Sequence, residues 1–283
     1  MFKVRGPPTP DILNEFYRKK FSFSALFRVI DPKTFPHREF GFIVPSQDDK
    51  ETHFIRNLSF KTPADMRDFM IRRRIVSAHI GGLYNPPPNP KTSITKLKWL
   101  GHELIFDLDI TDYDDIRTCG KGKDHVCKKC WPLIVNAALI VDETLREDFG
   151  FEKITWVFSG RRGFHAWISD PHTLTFDKEV REAIALYISP EIPEEERLPM
   201  SYLLRISRII LGKEDLQLLK KRFKYVIERL PRIDKQVTMD LNRLLRIPGS
   251  IHPDTGRLVM IVKDLQEFYV EDSPTVWEIL GYE

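Results

Sequence analysis

The segment Glu103-Leu104-Ile105-Phe106-Asp107-Leu108-Asp109-Ile110 alternates apolar and acidic residues. In an extended strand, side chains i and i+2 project from the same side. Leu104, Phe106, Leu108 and Ile110 therefore make one apolar face that must turn toward a core, while Glu103, Asp107 and Asp109 share the other face with Ile105. Carboxylates held this close repel, and each favours a proton or a cation. Mg²⁺ takes one or two protein carboxylates together with substrate phosphates, and a pair of ions stabilises both the attacking and the leaving oxygen of phosphoryl transfer. An Asp-x-Asp strand end with Mg²⁺ or Mn²⁺ suits that chemistry. The same pattern also fits a half-exposed edge strand with solvated acids; the apolar partner face favours the metal reading because it fixes the geometry. The next acids, Asp112, Asp114 and Asp115, read as a solvated turn.

A second group follows at once. Cys119, His125, Cys127 and Cys130 supply three thiolates and one imidazole, a complete tetrahedral set of the structural zinc type. The Cys127-Lys128-Lys129-Cys130 turn brings two sulfurs to one ion, and all four positions being filled leaves no place for substrate. Lys121, Lys123, Lys128 and Lys129 make this knuckle basic and able to touch template phosphates.

Ser159-Gly160-Arg161-Arg162-Gly163-Phe164-His165 is a third group. Glycines let backbone approach a ligand, arginine forks match phosphate oxygens, and serine with turn N–H groups adds anion donors. His165 can donate to a phosphate or act as a general acid toward a leaving group. The chain lacks the Gly-x4-Gly-Lys-Ser/Thr pattern of a Walker loop. Farther on, Arg232-Ile233-Asp234 and Arg243 to His252 bring another acid, several arginines and a histidine together. Asp234 is a candidate third metal ligand, with Asp240 its rival on spacing, and Arg246 and His252 are within sequence reach of a nucleotide.

The elements that must position these groups follow from pattern. Thr9-Pro10-Asp11 is a helix start, so a helix runs to about Lys19 with Ile12, Leu13 and Phe16 inward. His37 to Val44 and His53 to Phe60 read as neighbouring strands, and Thr62-Pro63 opens a helix that includes Arg72-Arg73-Arg74. Asn85 to Pro90 is a proline loop. His102 to Ile110 is a strand, Trp131 to Glu147 a helix, and Ile154 to Phe158 and Phe164 to Ile168 are strands joined by the glycine-arginine turn. Asp177 to Ile188 is helical, Pro190 to Pro199 a proline-rich acidic connector, and Lys213 to Arg229 a charged helix. Two short strands frame Asp234 to His252, and a last strand covers Leu258 to Val262. The mixture predicts an α/β or α+β fold.

Composition is that of a globular protein: 283 residues, 42% hydrophobic and 30% charged, which excludes disorder and coiled coil. A net charge of +3 does not by itself mark a nucleic-acid binder, although summed charge hides local patches. No apolar run is long enough for a membrane helix, the first residues lack a signal-peptide core, and an odd, clustered cysteine count argues for metal binding in a reducing compartment. An intracellular protein is expected.

Taken in order, Glu103 to Asp115, Cys119 to Cys130, Ser159 to His165, and Asp234 to His252 with Pro253-Asp254-Thr255-Gly256 resemble the small catalytic subunit of the archaeal–eukaryotic DNA primases; His37-Arg38-Glu39-Phe40 resembles the family's N-terminal part. The resemblance implies a single catalytic domain over residues 1–283: a mixed-sheet prim-type core with a peripheral zinc knuckle at 119–130 and a small helical insertion at 171–230. It implies primer synthesis from NTPs on single-stranded DNA, a heterodimer with a primase large subunit, and work beside a replicative polymerase, in an archaeal cytoplasm or nucleoid or a eukaryotic nucleus. Carried over residue by residue, Asp107, Asp109 and Asp234, favoured over Asp240, bind Mg²⁺ or Mn²⁺. Ser159, Arg161, Arg162 and His165 hold the triphosphate, and Arg246, His252 and Arg56 complete the nucleotide site. The rival readings are a repair or ligase-associated polymerase that extends but does not initiate, a non-catalytic zinc module that binds DNA, and a carboxylate nuclease.

Overall fold

The computed structural model describes residues 6–190 and 198–282. Most of the Pro190–Pro199 connector lies outside them. Two antiparallel sheets form the centre. The first runs β2 (Thr52–Leu58), β1 (Arg38–Pro45), β3 (Ser77–Asn85), β4 (Lys98–Gly101), with the short β8 (Leu245–Arg246) also paired to β3. The second runs β5 (Leu104–Asp109), β7 (Gly163–Ile168), β6 (Ile154–Phe158), β9 (Met260–Val262). Each recorded strand pairing is antiparallel, which makes this an α+β arrangement.

One core lies between the sheets. It joins Phe40, Phe42 and Ile80 of the first sheet to Ile105, Val157 and Trp167 of the second, with Leu13, Phe16 and Tyr17 of α1 (Pro10–Lys19) and Met66 and Met70 of α2 (Pro63–Arg72). Both helices start as their sequences dictate. Thr9 accepts from the Ile12 N–H, and Thr62 and Asp65 form a reciprocal capping box around Pro63. A second core covers the other face of the second sheet, where Leu104, Phe106 and Leu108 meet Ile134, Ala138, Val141 and Leu145 of α3 (Trp131–Glu147). A third, helical core packs Ile140 of α3 against Tyr202 and Ile206 of α5 (Met200–Leu211), Leu219 of α6 (Leu216–Lys221) and Val226 of α7 (Phe223–Ile227).

The second sheet is thus covered on both faces, and this corrects the expectation for the acidic side of β5. Ile105 there is inter-sheet core, and Glu103 is sequestered rather than grouped with the aspartates. Its carboxylate receives two bonds from Arg38 of β1, at 2.6 and 2.5 Å, with both side chains almost wholly buried. Arg181 of α4 (Lys178–Ile188) adds bonds to the carbonyls of His102 and Glu103. A buried charge is tolerated when it is paired and hydrogen-bonded in this way.

Other expectations also change. β3, with no strong apolar alternation, is the middle strand of the first sheet. The charged helix expected over Lys213 to Arg229 is broken: α5 ends at Gly212, in left-handed backbone, and two short helices follow. The Arg72–Arg74 triplet is not continuous helix. Arg74 sits beyond the helix end at φ 49° and is bidentate to Asp49 while also holding Asp11. Around Asp234, a single bridge from Ile233 to Leu108 and a short helix, α8 (Lys235–Met239), stand where one of two strands was expected.

Candidate active site

Asp107 and Asp109 occupy the last turn of β5, where the inter-sheet core ends and the strand face opens into a cleft of about 570 Å³. The Ile233–Leu108 bridge and the bond from Asp234 N–H to the Asp107 carbonyl bring Asp234 to the same cleft. Asp234 also caps α8, accepting from the Gln236 and Val237 N–H groups. Asp240 lines a different place: it accepts from Asn242 N–H on the side of Arg56 and Tyr84. Between the two rivals, Asp234 is the one in the cleft.

Asp112 is the cleft acid that pattern reading missed. The chain leaves β5 in a tight helical turn, Ile110–Tyr113, begun by Asp109 accepting from Thr111 N–H. That turn folds Asp112 back onto the cleft. The signal lay in the Asp-x-x-Asp spacing after a capping aspartate, where a one-turn reversal returns the third carboxylate to the first two. Asp115, by contrast, is neutralised by Arg232 at 2.5 and 3.0 Å.

The acids load the cleft electrostatically. Burial pushes the Asp107 carboxyl up to about 7, with Asp109 and Asp234 adding repulsion, although its outer edge is 27% exposed. Burial, then Asp109 and Asp234, take Asp112 up to about 6. Such carboxylates lack positive charge, and hard divalent cations with oxygen ligands fit them. In this structure part of that charge comes from Arg162, whose Nε lies 2.7 and 2.8 Å from the two Asp109 oxygens.

The glycine-arginine turn joins β6 to β7 and abuts the acids by register: Asp107 stands opposite His165, and Asp109 opposite Gly163. Gly163 cannot be larger, since a Cβ there would lie 2.1 Å from the Leu108 carbonyl oxygen. Gly160 takes φ 86°, and a side chain would strike His252. Ser159 Oγ accepts from Gly163 N–H at 3.3 Å. His165 Nε2 is 3.6 Å from Asp107, and its Nδ1 is buried with no partner among the described residues. Burial and then Arg246 push His165 down to about 3, so it is a neutral hydrogen-bond donor in this state and not a charged acid. His252 is driven down to about 2 by burial and by Arg246, Arg161 and Arg162. Arg246 reaches the Ser159 carbonyl at 3.4 Å, and Thr255 bonds the Gly160 carbonyl at 2.6 Å, so the C-terminal segment packs on the turn. Arg161 pairs with Asp254 and with Asp124 of the knuckle. Ser159, Arg161, Arg162, His165, Arg246 and His252 therefore come together beside the acids. Arg56 is placed on β2, bidentate to the buried Glu39 and bonded to the Asn242 carbonyl.

The ligand atoms of Cys119, His125, Cys127 and Cys130 all lie within 4.8 Å of one another, and the sulfurs of Cys127 and Cys130 are 3.8 Å apart. Tetrahedral zinc with bonds of about 2.3 Å needs sulfurs about 3.8 Å apart. His125 Nε2 is buried with no hydrogen-bond partner among the described residues, as an available ligand atom would be. Burial opposes ionisation of the Cys127 thiol, yet the Cys130 N–H and the Cys119 and His125 side chains bring it down to about 6. These residues fit a zinc ion. Arg117 anchors the knuckle by bonding Asp114 and the His125 carbonyl, and Asp114 also accepts from Gly122 N–H.

A profile of the DNA primase small subunit matches residues 106–264, a span holding the acids, the knuckle, the glycine-arginine turn and the C-terminal segment. The chain belongs to the DNA primase small subunit family. The DNA primase small subunit of Schizosaccharomyces pombe is 36% identical over 191 residues, which is 65% of this chain and 41% of that protein. The Drosophila melanogaster DNA primase small subunit is 38% identical over 185 residues, 63% of this chain and 41% of that one. The chain thus spans about two-fifths of the length of these two relatives. The DNA primase small subunit PriS of Archaeoglobus fulgidus is 30% identical over 285 residues, covering 89% of this chain and 81% of that one. Among solved structures, the polymerase domain of Mycobacterium tuberculosis ligase D in complex with DNA covers 97% of this chain and 88% of its own at a TM-score of 0.51 and 13% identity, a likeness of fold. Among the described residues no helix is long and apolar enough to cross a membrane.

Proposed function

We propose that this chain is a primase catalytic subunit: a template-directed nucleotidyltransferase that joins NTPs into short RNA primers on single-stranded DNA for replication, in complex with a primase large subunit and feeding a replicative polymerase. The observation that supports this most strongly is the juxtaposition, at one end of the second sheet, of an acidic cleft and an arginine–histidine cradle. Metal alone or anion alone would need one of these; a metal-bound triphosphate needs both. On this reading residues 1–283 act as one catalytic domain, with the 119–130 knuckle and the 171–230 helical segment attached to it, inside the cell.

Asp107, Asp109 and Asp234 would hold Mg²⁺ or Mn²⁺, with Asp112 beside them. When bound, such ions neutralise these carboxylates, polarise the α-phosphate and favour ionisation of the attacking 3′-hydroxyl. Arg161 and Arg162 take the β- and γ-oxygens in fork geometry, Ser159 and the turn N–H groups add donors, and Arg246 contributes charge from behind the turn. Neutral His165 donates through one ring nitrogen to a phosphate oxygen, and His252 faces the same oxygens. Arg56, held by Glu39 on β2, is assigned to the nucleotide site from the family resemblance alone. Catalysis in such a site is positioning plus electrostatic stabilisation of the departing pyrophosphate. Zinc on the knuckle is structural.

The test is synthesis on single-stranded DNA from labelled NTPs with Mg²⁺ or Mn²⁺, comparing wild type with Asp109→Ala. Short products from wild type and none from the variant are expected. Extension of a supplied primer without initiation, even with a large subunit present, would replace this reading by the repair-type polymerase. Equal rates in the two proteins would remove the carboxylate assignment.

A further inference from the structure

The chemistry above leaves a second concave surface unused. Between the knuckle and α7, a hollow of about 240 Å³ is walled by Arg117, Lys129, Tyr225 and Arg229, and no carboxylate lines it. A neighbouring hollow of about 420 Å³ lies over Arg222, Lys224 and the same Tyr225, with Glu228 its one acid. Tyr225 lines both, so the groove is this pair of hollows adjoining at one residue. Glu228 sits 3.7 Å from Arg229, but among the described residues no ion pair engages Lys129, Arg222 or Lys224. Arg117 is fully buried; its outer nitrogens hold Asp114 and the His125 carbonyl, while Nε has no partner among the described residues.

Tyr225 decides what kind of polyanion this suits. Its ring carries the Arg229 guanidinium 3.5 Å from the centroid, yet the residue is 42% exposed. A guanidinium braces the ring, and the residue stays exposed where the two hollows meet. Cations alone would serve any acidic surface. A braced, exposed aromatic flanked by unpaired cations is the arrangement that receives a single nucleic-acid strand, with a base on the ring and phosphates on the cations. Two of the groove's residues are joined to the acidic cleft along the chain. Arg229 lies just upstream of Arg232 and Asp234, and Arg117 just downstream of Asp112 and Asp115, which Arg232 ties together.

We infer that this groove binds the single-stranded part of the template, stacking one base on Tyr225 and neutralising neighbouring phosphates with Lys129, Arg222 and Lys224. The inference rests on the template-using function proposed above and assigns it a track outside the cleft.

The test measures fluorescence anisotropy of a labelled oligothymidylate with the full-length protein across a salt series, for wild type, Tyr225→Ala, Tyr225→Phe, Lys129→Glu, Lys224→Glu, Lys129→Glu/Lys224→Glu, and Lys50→Glu as a control on the β1–β2 turn, charge-matched to each single reversal. Melting temperature and zinc content of every variant are checked against wild type. Tyr225→Ala should weaken binding on the order of tenfold, and Tyr225→Phe should restore it. The double reversal should weaken it more and reduce the slope of log K against log salt by about 0.7 per lost phosphate contact. Lys50→Glu should change neither. Extension of a saturating primer–template should keep its kcat in the groove variants. Wild type that extends primers while all variants bind oligothymidylate equally would overturn the groove and leave the catalytic reading intact. Groove-dependent binding without any synthesis would do the reverse. Variants that bind DNA normally but no longer assemble with a large subunit would make the groove a protein-docking surface and overturn the inference.

Discussion

Asp107→Asn should make the metal-free protein more stable while abolishing synthesis. Asp107 is pushed from 3.8 up to about 7 by burial and by the repulsion of Asp109 and Asp234. A carboxyl whose pKa is higher in the fold than in the unfolded chain keeps its proton in the fold while the unfolded chain has lost it. Between about pH 4 and 7 the fold therefore loses stability as pH rises, and the loss is complete above 7. Three units at about 1.4 kcal/mol each set a ceiling of roughly 4 kcal/mol. The 27% exposed edge of the side chain lets water and counter-ions relieve part of it, so about 2 kcal/mol is expected. Asparagine keeps the shape and carries no charge. For a chain of 283 residues, with unfolding entropy near 2.1 cal/mol/K per residue, this corresponds to a rise in Tm of roughly 3 °C. Calorimetry in magnesium-free buffer, with the knuckle zinc retained, should show the rise at pH 8 and a clearly smaller one at pH 5, part-way through the window. Adding Mg²⁺ should lift the wild type toward the variant. A variant melting at or below wild type at pH 8, or a gap unchanged at pH 5, would refute the electrostatic reasoning.

Other perturbations have equally definite outcomes. Arg38→Met strands the buried Glu103 carboxylate and should destabilise the fold by about 3–5 kcal/mol in denaturant titrations, whereas the double change Arg38→Met/Glu103→Leu should recover most of that loss. Gly163→Ala places a methyl against the Leu108 carbonyl at the turn's base; reduced stability should come with loss of synthesis even at saturating NTP, read by kcat. Stripping zinc with a chelator should lower the Tm and release Cys127 for rapid alkylation, because its thiol is already biased toward the thiolate; unchanged alkylation kinetics would argue against a bound ion.

The parts of this architecture that were legible in the sequence are those where one physical rule acts alone. β5, α3 and the β6–β7 hairpin each bury a regular apolar face, so alternation or helical spacing marks them. β3 was invisible because glycines interrupt its apolar run to make room: Gly81 leaves space for Leu244, and Gly82 faces Gly101 and Trp99. Chain breaks among the helices beyond 200 depend on Gly212 and on packing against α3, neither of which a charged stretch announces. At the site, Asp107, Asp109, the cysteine–histidine set and the turn arginines declared themselves by spacing. Spacing left Asp234 and Asp240 open and only the family resemblance favoured Asp234; the recruitment of Asp112 and the removal of Glu103 needed the strand register and the inter-sheet core, which lie beyond any local pattern.

The Arg162–Asp109 pair carries a last consequence. On the proposed roles of these two residues, with metal on Asp109 and triphosphate on Arg162, loading the cleft would be an exchange of partners, since the two groups already satisfy each other. A free divalent ion arriving at Asp109 must evict a guanidinium and leave it unmatched; a free triphosphate claiming Arg162 must leave a bare carboxylate. When the two arrive as one complex, both swaps occur together and no charge is orphaned. On that reading the Arg162–Asp109 pair discriminates against each ingredient alone, and metal and nucleotide would each raise the other's affinity by the same factor.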